Sequence, residues 1–305
     1  MICRICKQQM DVFYVGDTAT CTECYAARTV NGYNMKPSVD GRCLEGALKP
    51  QLVGIELEMS TAHRVYCGLS PQLEDLHDAF MALGITERTP YWVKSDGSFT
   101  RGIEFVFTPM AVDRLDVVLH AFMPLLREHV PSVRAARGGG LHVHISPRWH
   151  IERVELWQQC YQLSHLIKAC GGRQTNRYCR FQSAQIRGTL HKYQAIRSTT
   201  WGTTEHRYPN NSLMPKRLME RIVFAVWLHR KLANGKFDVG PEETLDHVFI
   251  EKLAIDSFVD PTGYLEASYW RAAKRYFGDR KGAAEYRDEL ISDVKKNLWN
   301  NERSD

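Results

Sequence analysis

The chain has 305 residues, 44% of them hydrophobic and 25% charged, with 40 Lys and Arg against 35 Asp and Glu for a net charge of +5. That length can bury one large core with room for a small appendage, and the composition reads as that of an ordinary soluble globular protein. So mild a basic excess makes no polybasic tail; it allows phosphate-rich partners without arguing for them. No apolar run approaches the roughly 20 residues needed to span a bilayer. The opening Met1-Ile2-Cys3-Arg4 does not read as a secretion signal. Nine cysteines, an odd number, do not read as a disulfide framework. The expectation is a cytoplasmic protein with no membrane partner.

The first unit along the chain is Cys3-x-x-Cys6 and Cys21-x-x-Cys24, with 14 residues between the pairs. Four thiolates at this spacing suit tetrahedral Zn²⁺, at about 2.3 Å from each sulfur. Few apolar residues lie between the pairs, so the metal would supply the folding energy as a structural ion. Asn31 to Gly41, rich in Gly, Pro and Asn, reads as a linker. Cys43, Cys67, Cys160, Cys170 and Cys179 have no ligand spacing and read as core or surface thiols.

Next come short alternating strands mixed with amphipathic helices. Leu73 to Leu83 is a predicted helix, as is Ala111 to His129, which Pro124 should bend or break. Ile151 to Cys170 is another, and Pro215 opens one that runs to Asn234. Asp96-Gly97-Ser98 reads as a tight turn. Beyond Gly240 the pattern is helical, over Glu242 to Phe258, Tyr264 to Phe277 and Ala283 to Asn300. These boundaries predict a zinc unit and linker over 1–45, a central core over 46–240 and a helical extension over 241–305.

Four stretches of the core place acidic or imidazole groups on alternate positions. They are Gly54-Ile55-Glu56-Leu57-Glu58, Ile103-Glu104-Phe105, Leu141-His142-Val143-His144-Ile145 and Thr204-Glu205-His206-Arg207. Alternate residues of a strand point to opposite faces, so each stretch buries one side and gathers polar groups on the other. Strands of that kind belong to antiparallel or mixed sheets with helices on the apolar face. The predicted class is α+β, with a mostly antiparallel sheet, helices on one face and an open acidic cleft.

Carboxylates gathered on one face repel one another unless a cation sits among them. Their oxygens suit Mg²⁺ or Mn²⁺, and an imidazole in the set favours Mn²⁺. Of His142 and His144, one is expected to be a ligand and the other to line the cleft. Arg207 shares a face with Glu205 and could clamp a phosphate or form a plain salt bridge with it. Gly138-Gly139-Gly140 permits close backbone approach but lacks the lysine and spacing of a nucleotide P-loop.

Taken in order, Gly-Ile-Glu-Leu-Glu at 54–58, Lys-Ser-Asp-Gly-Ser at 94–98, Gly-Ile-Glu-Phe-Val at 102–106, Leu-His-Val-His at 141–144 and Thr-Glu-His-Arg at 204–207 resemble the amidoligase family. Those are carboxylate–amine ligases related to glutamine synthetase and glutamate–cysteine ligase. The resemblance covers roughly residues 50–235. Thr108-Pro109 stands where the family often has Ser-Pro, and His206 replaces an apolar residue.

The resemblance implies a glutamine-synthetase-like core that forms an amide bond at the expense of ATP, through an acyl phosphate captured by an amine. It implies that Glu56, Glu58, Glu104, His142 and Glu205 hold two or more Mg²⁺ or Mn²⁺ ions. Arg207 would offset charge on the transferred phosphoryl group, and Asp96 would orient the amine or take its proton. Lys94, His144 and Arg197 would line the nucleotide or acceptor site. The partners are then a carboxylate and an amine, and the zinc unit points to an acceptor on a protein or nucleic acid. Two other readings stand beside this one. A two-metal nuclease uses the same residue types. A zinc-based nucleic-acid or protein adaptor would draw on Arg4, Lys7, Phe13, Tyr14 and Arg28.

Overall fold

A computed structural model describes residues 12–15, 18–31, 52–62, 68–86, 88–97, 101–135, 139–146, 163–173, 179–181, 193–199, 203–234 and 245–278, with positions 285, 288, 289 and 292. Cys3, Cys6, Cys43, Cys67, Cys160, Ser98 and Gly138 lie outside them. So do most of the expected linker, the first part of the helix expected from Ile151, and nearly all of Ala283 to Asn300.

In chain order the elements begin with strands β1 (Val12–Val15) and β2 (Thr18–Cys21) and helix α1 (Thr22–Arg28). Strand β3 (Val53–Thr61), helix α2 (Ser70–Ala82), strands β4 (Tyr91–Asp96) and β5 (Gly102–Met110) and helix α3 (Val112–His129) follow. Then come β6 (Val133–Arg134), β7 (Leu141–Ile145), α4 (Ser164–Gly171), β8 (Ile196–Ser198) and β9 (Thr204–His206). The last are α5 (Pro215–Asn234), α6 (Leu245–Phe258) and α7 (Tyr264–Phe277). The class is α+β. No helix among the described residues is long and apolar enough to cross a membrane.

The chain divides into two compact units. The first holds 1–148, 200–205 and 210–218; the second holds 149–199, 206–209 and 219–305. In the first unit the strand order is β4-β5-β3-β7-β9, with β6 also paired to β3. Strand β3 is antiparallel to β5, β6 and β7, and β4 is antiparallel to β5. The register sets Glu56 opposite both Val106 and His142, Glu58 opposite Glu104, and Lys94 opposite Glu104. Paired residues in a ladder share a face, so one face carries Lys94, Glu104, Glu56, Glu58, His142 and His144.

The other face carries Tyr91, Val93, Phe105, Phe107, Ile55, Leu57, Leu141 and Val143, all buried. Helices α2 and α3 cover it. Phe122 of α3 meets the rings of Tyr91 at 4.7 Å, Phe107 at 5.1 Å and Phe105 at 5.5 Å, all edge to face. Phe80 of α2 meets Phe122 at 6.0 Å. Such crossings are favoured by the ring quadrupoles and seal the core. Helix α3 runs through Pro124 without breaking. That proline is exposed, so the carbonyl its missing N–H leaves unbonded can turn to water. Pro109 sits in β5 beside a register shift in β3 between Val53 and Ile55, the irregular place a strand proline tolerates.

The described part of the cysteine segment packs within the first unit. Strands β1 and β2 form a hairpin pairing Val12 with Cys21 and Val15 with Thr18. Cys21 caps α1, its sulfur accepting from the Cys24 N–H at 3.5 Å. Helix α1 packs on α2 and β4. Asn31, expected in a linker, instead bridges to Lys94 of β4. Its N–H donates to the Val93 carbonyl at 2.9 Å, and its own carbonyl accepts from the Ser95 N–H at 2.9 Å.

The second unit is mainly helical. Trp227 of α5 stacks on Phe224 at 5.8 Å and meets Phe249 of α6 edge-on at 5.8 Å. Helices α6 and α7 pack together, and α4 packs on α7. Gly172 closes α4 in the left-handed region, at φ 78°. Arg271 of α7 pairs with Glu220 of α5, and Ser268 donates to the Glu220 carbonyl at 3.0 Å. His206, at a position expected to be buried, is fully buried and packs on the rings of Tyr208 at 5.6 Å and His229 at 5.7 Å.

Candidate functional site

The alternating strands bring their polar side chains to one patch of the first unit. Glu56, Glu104 and His142 can offer ligand atoms within 4.8 Å of one another, and so can Glu56, His144 and Glu205. The two triads share Glu56. His142 lies at the centre, its Nδ1 3.1 Å from Glu56 and 3.6 Å from Glu205, and its Nε2 3.2 Å from Glu58. His144 Nε2 is 3.4 Å from the other oxygen of Glu56. Lys94 Nζ is 2.8 Å from Glu104, and both side chains are more than nine-tenths buried.

The charges of this patch are held under tension. Burial pushes the Glu56 carboxyl up, but His144 and His142 beside it hold it well below the usual carboxylate range. Burial and the neighbouring Glu56 charge push Glu104 well above that range, against the pull of Lys94 and His142. Glu56 and Glu104 are close enough to hydrogen-bond. Two carboxylates can do that only by sharing a proton. A divalent cation bound among these groups would relieve the same repulsion, and carboxylate oxygens with imidazole nitrogens form a donor set suited to Mn²⁺ or Mg²⁺.

Glu58 is differently placed. One of its oxygens accepts from the Gly140 N–H and the other faces His142. Its backbone N–H donates to the Gly140 carbonyl at 2.9 Å. Gly140 thus brings its backbone against β3, the close approach a glycine allows. Asp96 ends β4 opposite Gly102 and is buried. Arg197 of β8 and Arg207 belong to the second unit. There the Arg207 N–H donates to the Ala195 carbonyl at 2.7 Å, and its own carbonyl accepts from Arg173 at 2.9 Å.

Asn211 is a residue that sequence reading missed. Its Nδ2 donates to the Glu58 carbonyl at 2.6 Å, tying the loop after β9 to the strand that carries two of the carboxylates. Asn210 alongside bridges to Gly140. The Pro-Asn-Asn run just before the α5 helix was the available signal. Of the four cysteines, Cys21 and Cys24 are fully buried, and the Cys24 sulfur lies 3.6 Å from the Thr89 hydroxyl.

No protein-family model matches the chain, and no curated protein matches it. Among solved structures it is similar to a novel glutamine synthase homolog, at 14% identity over 79% of this chain and 70% of that one, with a TM-score of 0.37. It is also similar to GmaS in complex with ADP, at 13% identity over 81% and 70% with a TM-score of 0.38. Similar too is GmaS without ligand, at 13% identity over 85% and 72% with a TM-score of 0.38. These likenesses are distant. The case for a function rests on the side chains of the site.

Proposed function

We propose that the chain is an ATP-dependent carboxylate–amine ligase whose active centre is the polar face of the first unit's sheet. The observation that carries the reading is convergence: Glu56, Glu104, His142, His144 and Glu205, drawn from separate motifs, gather into two triads that share one carboxylate. A divalent ion bound there would neutralise phosphate charge and align ATP for in-line transfer. Glu56, His144 and Glu205 would hold it, with Glu104 and His142 beside them. Glu58 and Asn211 keep His142 and β3 in place through the contacts they make. Asp96 is proposed to orient the amine or accept its proton. The phosphate role of Arg207 and the nucleotide role of Arg197 are proposals from their motifs alone. The substrates would be a carboxylate, activated as its acyl phosphate, and an amine.

We also propose that Cys3, Cys6, Cys21 and Cys24 hold a structural Zn²⁺. The burial of Cys21 and Cys24 and the N–H donated to the Cys21 sulfur support this, since a thiolate ligand accepts such bonds. The packing of α1 on α2 and β4 favours a structural role over that of a detached adaptor.

The test is incubation with ATP, Mg²⁺ or Mn²⁺, and pools of acids and amines, followed by mass detection of the adduct and of ADP. ADP formed only when acid and amine are both present supports ligation. Cleavage of nucleic acid without ATP would support the nuclease instead. Glu205→Ala should abolish the ADP signal while leaving the fold intact; full activity in that variant would overturn the site.

A further inference from the structure

The two triads are not equivalent, and the difference lies in Lys94. Its ammonium is 2.8 Å from Glu104, with side-chain exposures of 7% and 6%. Glu104 belongs to the triad with Glu56 and His142 and not to the one with Glu56, His144 and Glu205. The ladder sets Lys94 directly opposite Glu104, so the pair is built into the register of β4 and β5. Asn31 anchors the backbone on either side of Lys94, at Val93 and Ser95.

A divalent ion bound by Glu104 would come within a few ångströms of that ammonium. Like charges so close, in a site more than nine-tenths closed to water, repel strongly. An ammonium taken out of water is costly to leave without its partner. The lysine therefore has every reason to stay on Glu104 and to hold a metal off it. The other triad has the more open edge, at His144, which is 23% exposed against 6% for Glu104 and 3% for His142.

We infer that Lys94 is an internal counter-ion, occupying the place of a second divalent cation and limiting the sheet face to one tightly held ion at Glu56, His144 and Glu205. This rests on the metal-site reading proposed above. It differs from the two or more protein-bound ions that the family resemblance implies, and it gives Lys94 a role on Glu104 and not on the nucleotide.

The experiment is a Mn²⁺ titration of the full chain without nucleotide, with free Mn²⁺ followed by electron paramagnetic resonance. The wild-type chain should bind one Mn²⁺ tightly. Lys94→Met should gain a second site, tightened by at least about tenfold, while Lys94→Arg keeps one. Glu104→Gln should keep the single tight site, and Glu205→Gln should lose it. Two tight ions in the wild type, or loss of the tight site in Glu104→Gln, would overturn the counter-ion role while leaving the metal site standing. No tight Mn²⁺ in the wild type would overturn both. If Lys94→Met fails to fold, the wild-type count and Glu104→Gln still decide.

Discussion

On one face of β3, β4, β5 and β7 stand Ile55, Leu57, Tyr91, Phe105, Phe107 and Val143; one residue along, on the other, stand Glu56, Glu58, Lys94, Glu104, His142 and His144. The first face is closed by the rings of Phe80 and Phe122. The second gathers carboxylates whose proton affinity is raised by burial and a neighbouring carboxylate at Glu104 and lowered by the imidazoles beside Glu56. The same backbone carries both, and a slip of one residue would exchange them. Packing on the closed face thus fixes the register that the polar face needs. Stability is concentrated on one side and chemical tension on the other.

The sharpest way to break this contrast is to truncate one side chain on each face. Phe122→Ala removes the ring at the centre of the aromatic cluster and should cost about 3–5 kcal/mol of unfolding free energy. Glu56→Gln keeps the volume and relieves the charge that Glu56 imposes on Glu104. Its unfolding free energy without added Mg²⁺ or Mn²⁺ should stay within about 1 kcal/mol of wild type. Urea melts of both variants check the pair, and equal losses would erase the distinction between the faces.

A smaller effect comes from a buried imidazole on the closed side. His77 of α2 is fully buried against Tyr91, with ring centroids 6.1 Å apart, and neither ring nitrogen finds a hydrogen bond among the described residues. Burial, and then the Arg28 guanidinium, hold its pKa at about 4, down from 6.5. Between those values the unfolded chain takes up a proton that the folded chain refuses. The stability this group contributes is therefore present above about pH 6.5 and lost as pH falls toward 4. Wild type should lose about 2 kcal/mol more than His77→Leu between pH 7 and pH 5, measured as the difference between their urea melts. An identical pH slope in the two proteins would show that His77 titrates normally.

The smallest effect expected is that of Asn211→Ala. It removes one hydrogen bond to the Glu58 carbonyl and should cost about 1 kcal/mol. If Asn211 positions the polar face, Mn²⁺ affinity should drop by about tenfold as well. A stability loss with unchanged Mn²⁺ affinity would make it a plain loop tether.

Much of this was readable because a strand has a period of two. Glu56 and Glu58, or His142 and His144, announce a polar face whatever their partners are. Pro215 likewise marked the first turn of α5. What stayed hidden depends on distant pairing. The Lys94–Glu104 contact follows from the register of β4 on β5, which no single stretch encodes. Asn211 reaches a carbonyl 153 residues away. Pro124 was expected to bend or break α3, yet it faces solvent, where its missing N–H costs least. Asn31 looked like linker by composition, and only the fold sets it against β4.

That last contact has a consequence for the chain in a crowded solution. β4 ends the strand order of its sheet in the first unit, and an end strand offers backbone groups that invite a foreign strand. Asn31 fills one such slot with its backbone and also donates its side-chain amide to the Val93 carbonyl at 2.8 Å. The short segment after α1 thereby occupies edge positions that a foreign strand would need.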